Sequence, residues 1–289
     1  MRKDVAFGQY YPVDSFVHRT DPRTKLLFLI AYIVALFCCK TGWGMALCAL
    51  GLLTVILLAK LPLKLVVRSV RGVVFLLVFT GILNLFFYRG EGEALISWKF
   101  IHIYKEGIFY TIYLMSRLFL LVMSSAVLTL TTTPIALTDG LESLLTPLKY
   151  IRFPVHELAL IMSIALRFIP TLMDETERII NAQKARGADF ESGNVFKRIK
   201  AIIPILIPLL ISAFRRAEEL GDAMDARCYS GSSIRTKYKK LRFTYRDVCA
   251  FFFMAILMTG VFLFNSYGAA LSALCVQGWN ALLGLFGAV

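Results

Sequence analysis

The sequence predicts an all-α polytopic membrane protein with about five transmembrane helices and a large cytoplasmic or interfacial helical region. Three observations carry that expectation. Of 289 residues, 58% are hydrophobic, above the roughly 45–50% of soluble domains, so a bilayer is the solvent the composition suits. The apolar residues gather into runs that approach the ~20 residues of a spanning helix. The 32 Lys and Arg outnumber the 19 Asp and Glu, and they cluster between those runs, as the positive-inside rule requires; no nucleic-acid partner is needed to explain them.

Residues 1–25 begin with the charged MRKD and continue through Gly, Pro, Asp and His. They lack the apolar stretch and small-residue cleavage site of a signal peptide, so the N-terminus is expected to be retained. Spans are expected at 26–39 and 43–59, both short and joined by Lys40-Thr41-Gly42, then at 70–88, 107–130 and 248–264. A polar stretch separates the third from the fourth. Residues 265–289 are expected either to lie on the outer interface or to return as a sixth helix.

Five basic residues precede residue 26, Lys60, Lys64, Arg68 and Arg71 follow the second span, and eighteen lie in 131–246. The N-terminus, the 60–71 loop and the 131–246 region are therefore expected in the cytoplasm. Three domains result: 1–130, the N-terminal tail and four spans; 131–246, a cytoplasmic helical domain; 247–289, a last span with an apolar tail. The six cysteines (Cys38, Cys39, Cys48, Cys228, Cys249, Cys275) contain no CxxC pair and fall mostly in apolar runs. They read as small buried hydrophobes, not as disulfides or metal ligands.

A cytoplasmic insert of this length between two spans is expected to perform a task of its own. Pro134, Pro147, Pro154 and Pro170 are expected to cut its first part into short interfacial helices. Two amphipathic helices then end alike, in Ala185-Arg186-Gly187 and Ala226-Arg227-Cys228, and a shift of 41 residues also brings Glu177 onto Glu218 and Ala182 onto Ala223. Each arginine follows an apolar residue by seven positions, Ile179 or Leu220, so it continues the apolar stripe of its helix. Arginine among small neighbours at a helix end suits docking into a groove. It also suits simple capping, since a cation in the last turn interacts favourably with the helix dipole by about 0.3–1 kcal/mol and Gly187 favours a left-handed cap. Between the tips, an apolar run with Pro204 and Pro208 is expected to form a kinked connecting helix.

Apart from Arg71 at the start of the third span, Arg117 is the one Lys, Arg, Asp, Glu or His inside an expected span. Charge at the bilayer centre costs at least about 2.5–3.5 kcal/mol, which makes it a functional candidate unless it snorkels or pairs with another helix. There is no GxxxxGK[ST] phosphate loop, and His156-Glu157 lacks the second histidine of HExxH. No catalytic residue is expected.

The runs YYPVDSFVHRTDPRTKL (10–26), ALRFIPTLMDETERIINAQKARGAD (165–189) and AMDARCYSG (223–231) resemble the transmembrane T component, EcfT, of energy-coupling factor transporters. That resemblance implies a multi-pass scaffold of the cell membrane. It would link two cytosolic ABC-type ATPases (EcfA and EcfA′ type) to a membrane-embedded S component that carries a vitamin or metal ion. It further implies that Arg186 docks one ATPase and Arg227 the other, that ATP is used by the partner subunits, and that no cofactor binds the chain directly. Cys228 departs from the Ala-Arg-Gly pattern, and a left-handed cap there is expected to cost more. Two alternatives remain: a lipid-modifying membrane enzyme using Arg117, His102 and the cytosolic acids, or a secondary transporter built of inverted repeats.

Overall fold

The computed structural model describes residues 10–87, 94–98, 101–151, 153–188, 195–229 and 243–286. In chain order these form α1 (Pro22–Cys38), α2 (Gly42–Leu58), α3 (Leu63–Phe87), strands β1 (Ala94–Trp98) and β2 (Ile101–Tyr104), α4 (Lys105–Thr131), α5 (Pro134–Leu145), a 3-10 turn (Thr146–Ile151), α6 (Val155–Ala185), α7 (Val195–Asp225) and α8 (Tyr245–Phe286). They fall into two compact units, Met1–Leu141 with Leu241–Val289, and Glu142–Lys240.

The first unit is a bundle of α1, α2, α3, α4 and α8. Its core takes Tyr32 and Leu36 from α1, Leu52 and Ile56 from α2, Val66 and Val70 from α3, Met123 and Val127 from α4, and Met254 and Leu257 from α8. Helices come close where side chains vanish: a Cβ on Gly51 would lie 2.4 Å from Leu257 Cδ1, and one on Gly260 would lie 2.7 Å from Leu47 Cδ2. Small residues at such crossings replace hydrophobic drive with dense packing.

Local chemistry sets the helix starts. Asp21 accepts the Arg23 N–H with Pro22 at the first position of α1, and Thr41 accepts the Gly44 N–H at α2. Buried polar groups then tie the elements together at both ends of the bundle. The Asp247 carboxylate, 1% exposed, accepts the backbone N–H of Asp21 at 2.9 Å and of Thr244 at 2.7 Å, joining the starts of α1 and α8. Lys25 Nζ donates to the Thr131 carbonyl at 2.9 Å and the His18 carbonyl at 3.3 Å. Burial, opposed by a hydrogen bond to the Tyr11 carbonyl, lowers the His18 pKa from its ordinary value. In the neutral ring Nε2–H donates to Tyr11 at 3.0 Å, so Nδ1 accepts from the Ser15 hydroxyl at 2.7 Å. At the other end of α1, Asn265 accepts the Lys40 N–H at 2.9 Å and donates to the Cys38 carbonyl at 2.6 Å.

Four described helices have the length and apolarity to cross a membrane: α3, α4 (from Glu106), α6, and α8 from Tyr245 to Tyr267. Three of these match expected spans. The apolar α2 has 17 residues, and α1 is equally short. Three expectations need correction. Residues 265–286 do not form a separate sixth helix; they continue α8 as one 42-residue helix, about 63 Å of rise at 1.5 Å per residue. Pro170 does not break α6, and Pro204 and Pro208 lie inside α7, so the connecting run and the second amphipathic helix are one element. A proline removes one N–H and frees one carbonyl; Pro204 and Pro208, four apart, place both losses on one exposed face. Pro134 and Pro154 do act as boundaries, at the starts of α5 and α6. The polar stretch after α3 contains an antiparallel hairpin with Trp98 opposite Ile101 and Ser97 opposite His102, a small addition to an otherwise helical fold.

Of the described cysteines, Cys39 and Cys48 are buried as expected, whereas Cys38, Cys228 and Cys249 are exposed. For Cys38 and Cys249 the reason is their helix face: apolar runs in a membrane protein also cover its outer surface.

Candidate functional site

The second unit is built on α6 and α7. Ile164, Phe168 and Leu172 of α6 share a seam with Ala213, Ala217 and Gly221 of α7, small residues four apart that leave room for larger ones. A polar clasp accompanies the seam: Glu175 accepts a hydrogen bond from Ser212 and forms an ion pair with Arg216. Within the same unit His156 Nδ1 lies 3.3 Å from Glu142 Oε1. Along α7, Ile203, Ile207, Leu210, Ile211 and Phe214 stay exposed, an apolar stripe at helical spacing.

Both helices finish in the same backbone device. At the end of α6, Gly187 turns left-handed at φ +88; its N–H bonds the Lys184 carbonyl at 3.0 Å, and the Ala188 N–H bonds the Gln183 carbonyl at 3.0 Å. At the end of α7, Cys228 takes φ +56; its N–H bonds Asp225 at 2.9 Å, and the Tyr229 N–H bonds Met224 at 3.0 Å. This is the Schellman pattern of helix termination, twice. The 41-residue offset read in the sequence therefore recurs bond by bond. Cysteine in the glycine position does not alter the cap, although the left-handed conformation costs a side chain about 1–2 kcal/mol.

The cap aims the residue before it. Arg186 and Arg227 each stand just past the helix end, directly before the left-handed residue, and both are exposed together with Ala185, Gly187, Ala226 and Cys228. Among the described residues neither guanidinium has a hydrogen-bond or ion-pair partner, so each keeps a full fork of donors for another molecule. Their surroundings differ. Arg186 follows Lys184 and Asn181, whereas Arg227 follows Asp222 and Asp225. Acids in a last turn oppose the helix dipole by about 0.3–1 kcal/mol each, so the second tip keeps them against local helix stability.

Arg117 lies elsewhere, in the first unit. It donates to the Cys39 carbonyl at 2.7 Å and to the Tyr113 hydroxyl at 2.9 Å, with its guanidinium 4.8 Å from the Tyr113 ring centre. The arginine thus satisfies a carbonyl at the end of α1. His102, in β2 opposite Ser97, belongs to neither tip. Among the described residues no three His, Cys, Asp or Glu side chains gather as a metal-holding group. Sequence reasoning found both tips but missed Glu175, Ser212 and Arg216. The signal was present: Arg216 stands 41 residues after Glu175, so the repeat reverses charge where equivalent positions meet.

Residues 14–238 match the family described as cobalt transport protein, CbiQ. The chain is 49% identical to the energy-coupling factor transporter transmembrane protein EcfT of Ruminiclostridium cellulolyticum, covering 91% of this chain and 98% of that one. It is 47% identical to the protein of the same name from Clostridium kluyveri, over 86% and 93% of the two chains. With the Bacillus subtilis protein of that name it shares 43% identity over 91% and 98%.

Proposed function

The chain belongs to the CbiQ family of cobalt transport proteins, with the transmembrane components of energy-coupling factor transporters, and from that premise we propose that it is the non-catalytic coupling subunit of an ATP-driven importer. Arg186 anchors one cytosolic ABC-type ATPase and Arg227 the other. The observation that carries this reading is the pair of identical caps, each presenting between small residues an exposed arginine with no partner among the described residues. The unlike charges beside the two arginines favour two unlike grooves, one tolerant of a basic tip and one of an acidic rim.

In this reading α6 and α7 are arms of about 46 Å, 31 residues each, clasped at Glu175. When the ATPases close on ATP, the tips are drawn together and the arms shear past each other about that clasp. The exposed apolar stripe of α7 carries a membrane-embedded S component, which holds the vitamin or metal ion and feels the shear. ATP is used by the ATPases, and no cofactor binds the chain itself. The N-terminus and both tips face the cytoplasm, on the side where the basic residues concentrate.

Reconstitution tests the reading. The chain and its S component in proteoliposomes should take up substrate only when the ATPase pair and ATP are added. Uptake driven by an ion gradient without the ATPases would instead make the chain a secondary transporter.

A further inference from the structure

A half-open cavity of about 320 Å³ indents the first unit, at the end where α1 and α8 begin and α2 and α4 finish. Its walls are apolar, with Phe28, Leu52, Val55, Val127 and Phe253 among them, and the exposed Leu58 and Cys249 mark its mouth. Packed interiors hold few voids larger than a water molecule, and this volume is that of a small ligand site. Water is a poor occupant, since each molecule needs 2–4 polar partners. The polar atoms on the wall are few, and the Ser124 and Tyr32 hydroxyls already donate to the Leu121 and Cys48 carbonyls.

One donor remains. Thr24 is 2% exposed and lines the cavity, but its hydroxyl, without a hydrogen-bond partner among the described residues, is itself closed off from the open space. Lys25, its neighbour on the wall, uses two of three ammonium hydrogens on the Thr131 and His18 carbonyls. The nearby acids are committed elsewhere and do not line the cavity: Asp21 caps Arg23, and Asp247 accepts two backbone N–H groups. We propose that this cavity binds one acyl chain of a membrane phospholipid, with the ester oxygens of that chain accepting from Lys25. The cluster is already balanced, Arg23 and Lys25 against Asp21 and Asp247. A neutral ester adds no buried charge, whereas the carboxylate of a free fatty acid would.

The test is native mass spectrometry of the full chain, released from nanodiscs of phosphatidylglycerol and phosphatidylethanolamine after stringent detergent washing. One phospholipid per chain should survive in the wild type. It should be lost in Ala250→Phe, which fills the cavity, and kept in Ala46→Phe, which places the same bulk in a separate groove of α2. Equal retention in wild type and Ala250→Phe, or a retained free fatty acid, overturns the proposal. If Ala250→Phe does not fold, alkylation decides on the wild-type chain. Full delipidation should speed maleimide reaction at Cys249 at least fivefold, read peptide by peptide, and an unchanged rate overturns the proposal.

Discussion

Replacing Gly187 by alanine, and Cys228 by glycine, should move the two helix tips in opposite directions. A Cβ on Gly187 would meet nothing within 4 Å, so the only penalty is backbone: about 1–2 kcal/mol for a side chain at φ +88. Alanine also removes about 0.4–1 kcal/mol of freedom from the frayed chain, leaving a net cost of about 0.5–1 kcal/mol; at 1.4 kcal/mol per tenfold, the amide of Ala188, which bonds Gln183 across the cap, should exchange with deuterium about two- to fivefold faster. Cys228→Gly removes a similar strain but gives the frayed chain more freedom, worth about 0.4–1 kcal/mol. The net gain is about 0.5–1 kcal/mol, so the Tyr229 amide should exchange about two- to fivefold more slowly. Hydrogen–deuterium exchange with fragmentation to single residues reads both sites in one purified chain. If Gly187→Ala leaves Ala188 within twofold of wild type, or Cys228→Gly speeds Tyr229, the caps do not set the tips.

Other ties should respond according to what loses a partner. Glu175→Ala strands the Ser212 hydroxyl and the Arg216 guanidinium; with both carboxylate and guanidinium partly exposed, the cost should be about 1 kcal/mol, and single-turnover uptake should slow while both ATPases stay bound. Asp247→Ala leaves two backbone N–H groups of a buried site without an acceptor. It should cost about 2–4 kcal/mol in denaturant unfolding, and Asp247→Asn, which keeps one acceptor, about half of that. Arg117→Met strips the Cys39 carbonyl of one donor but leaves Tyr113 in place. A lower melting temperature with unchanged uptake per folded chain is expected; lost uptake at unchanged melting temperature would make Arg117 part of a transport path.

The parts of the fold that were legible are those governed by period and charge. The spans that became α3, α4 and the first part of α8 follow from apolar length alone, and the twin tips from a short repeat. What misled was local propensity. Pro170 reads as a break, and Pro204 and Pro208 as marks of a separate kinked connector, yet a helix with packed or lipid-covered flanks carries a proline at the loss of one bond. Asn265 read as the end of a span, but its side chain serves the turn between α1 and α2 while its backbone continues α8. Pairings distant in sequence, such as Asp21 with Asp247 or Lys25 with Thr131, leave no local trace. The clasp at Glu175 was hidden in a different way, because a charge reversal inside a repeat looks like a mismatch until the two helices are seen to meet there.

The most direct measurement is co-purification of the chain with its two ATPase subunits in mild detergent, comparing wild type, Arg186→Glu, Arg227→Glu and the double variant. Each single change should weaken retention of one ATPase, a different one for each arginine, and the double variant should retain neither. A double variant that holds both ATPases and supports uptake like wild type would contradict the docking role and leave the arginines as helix caps.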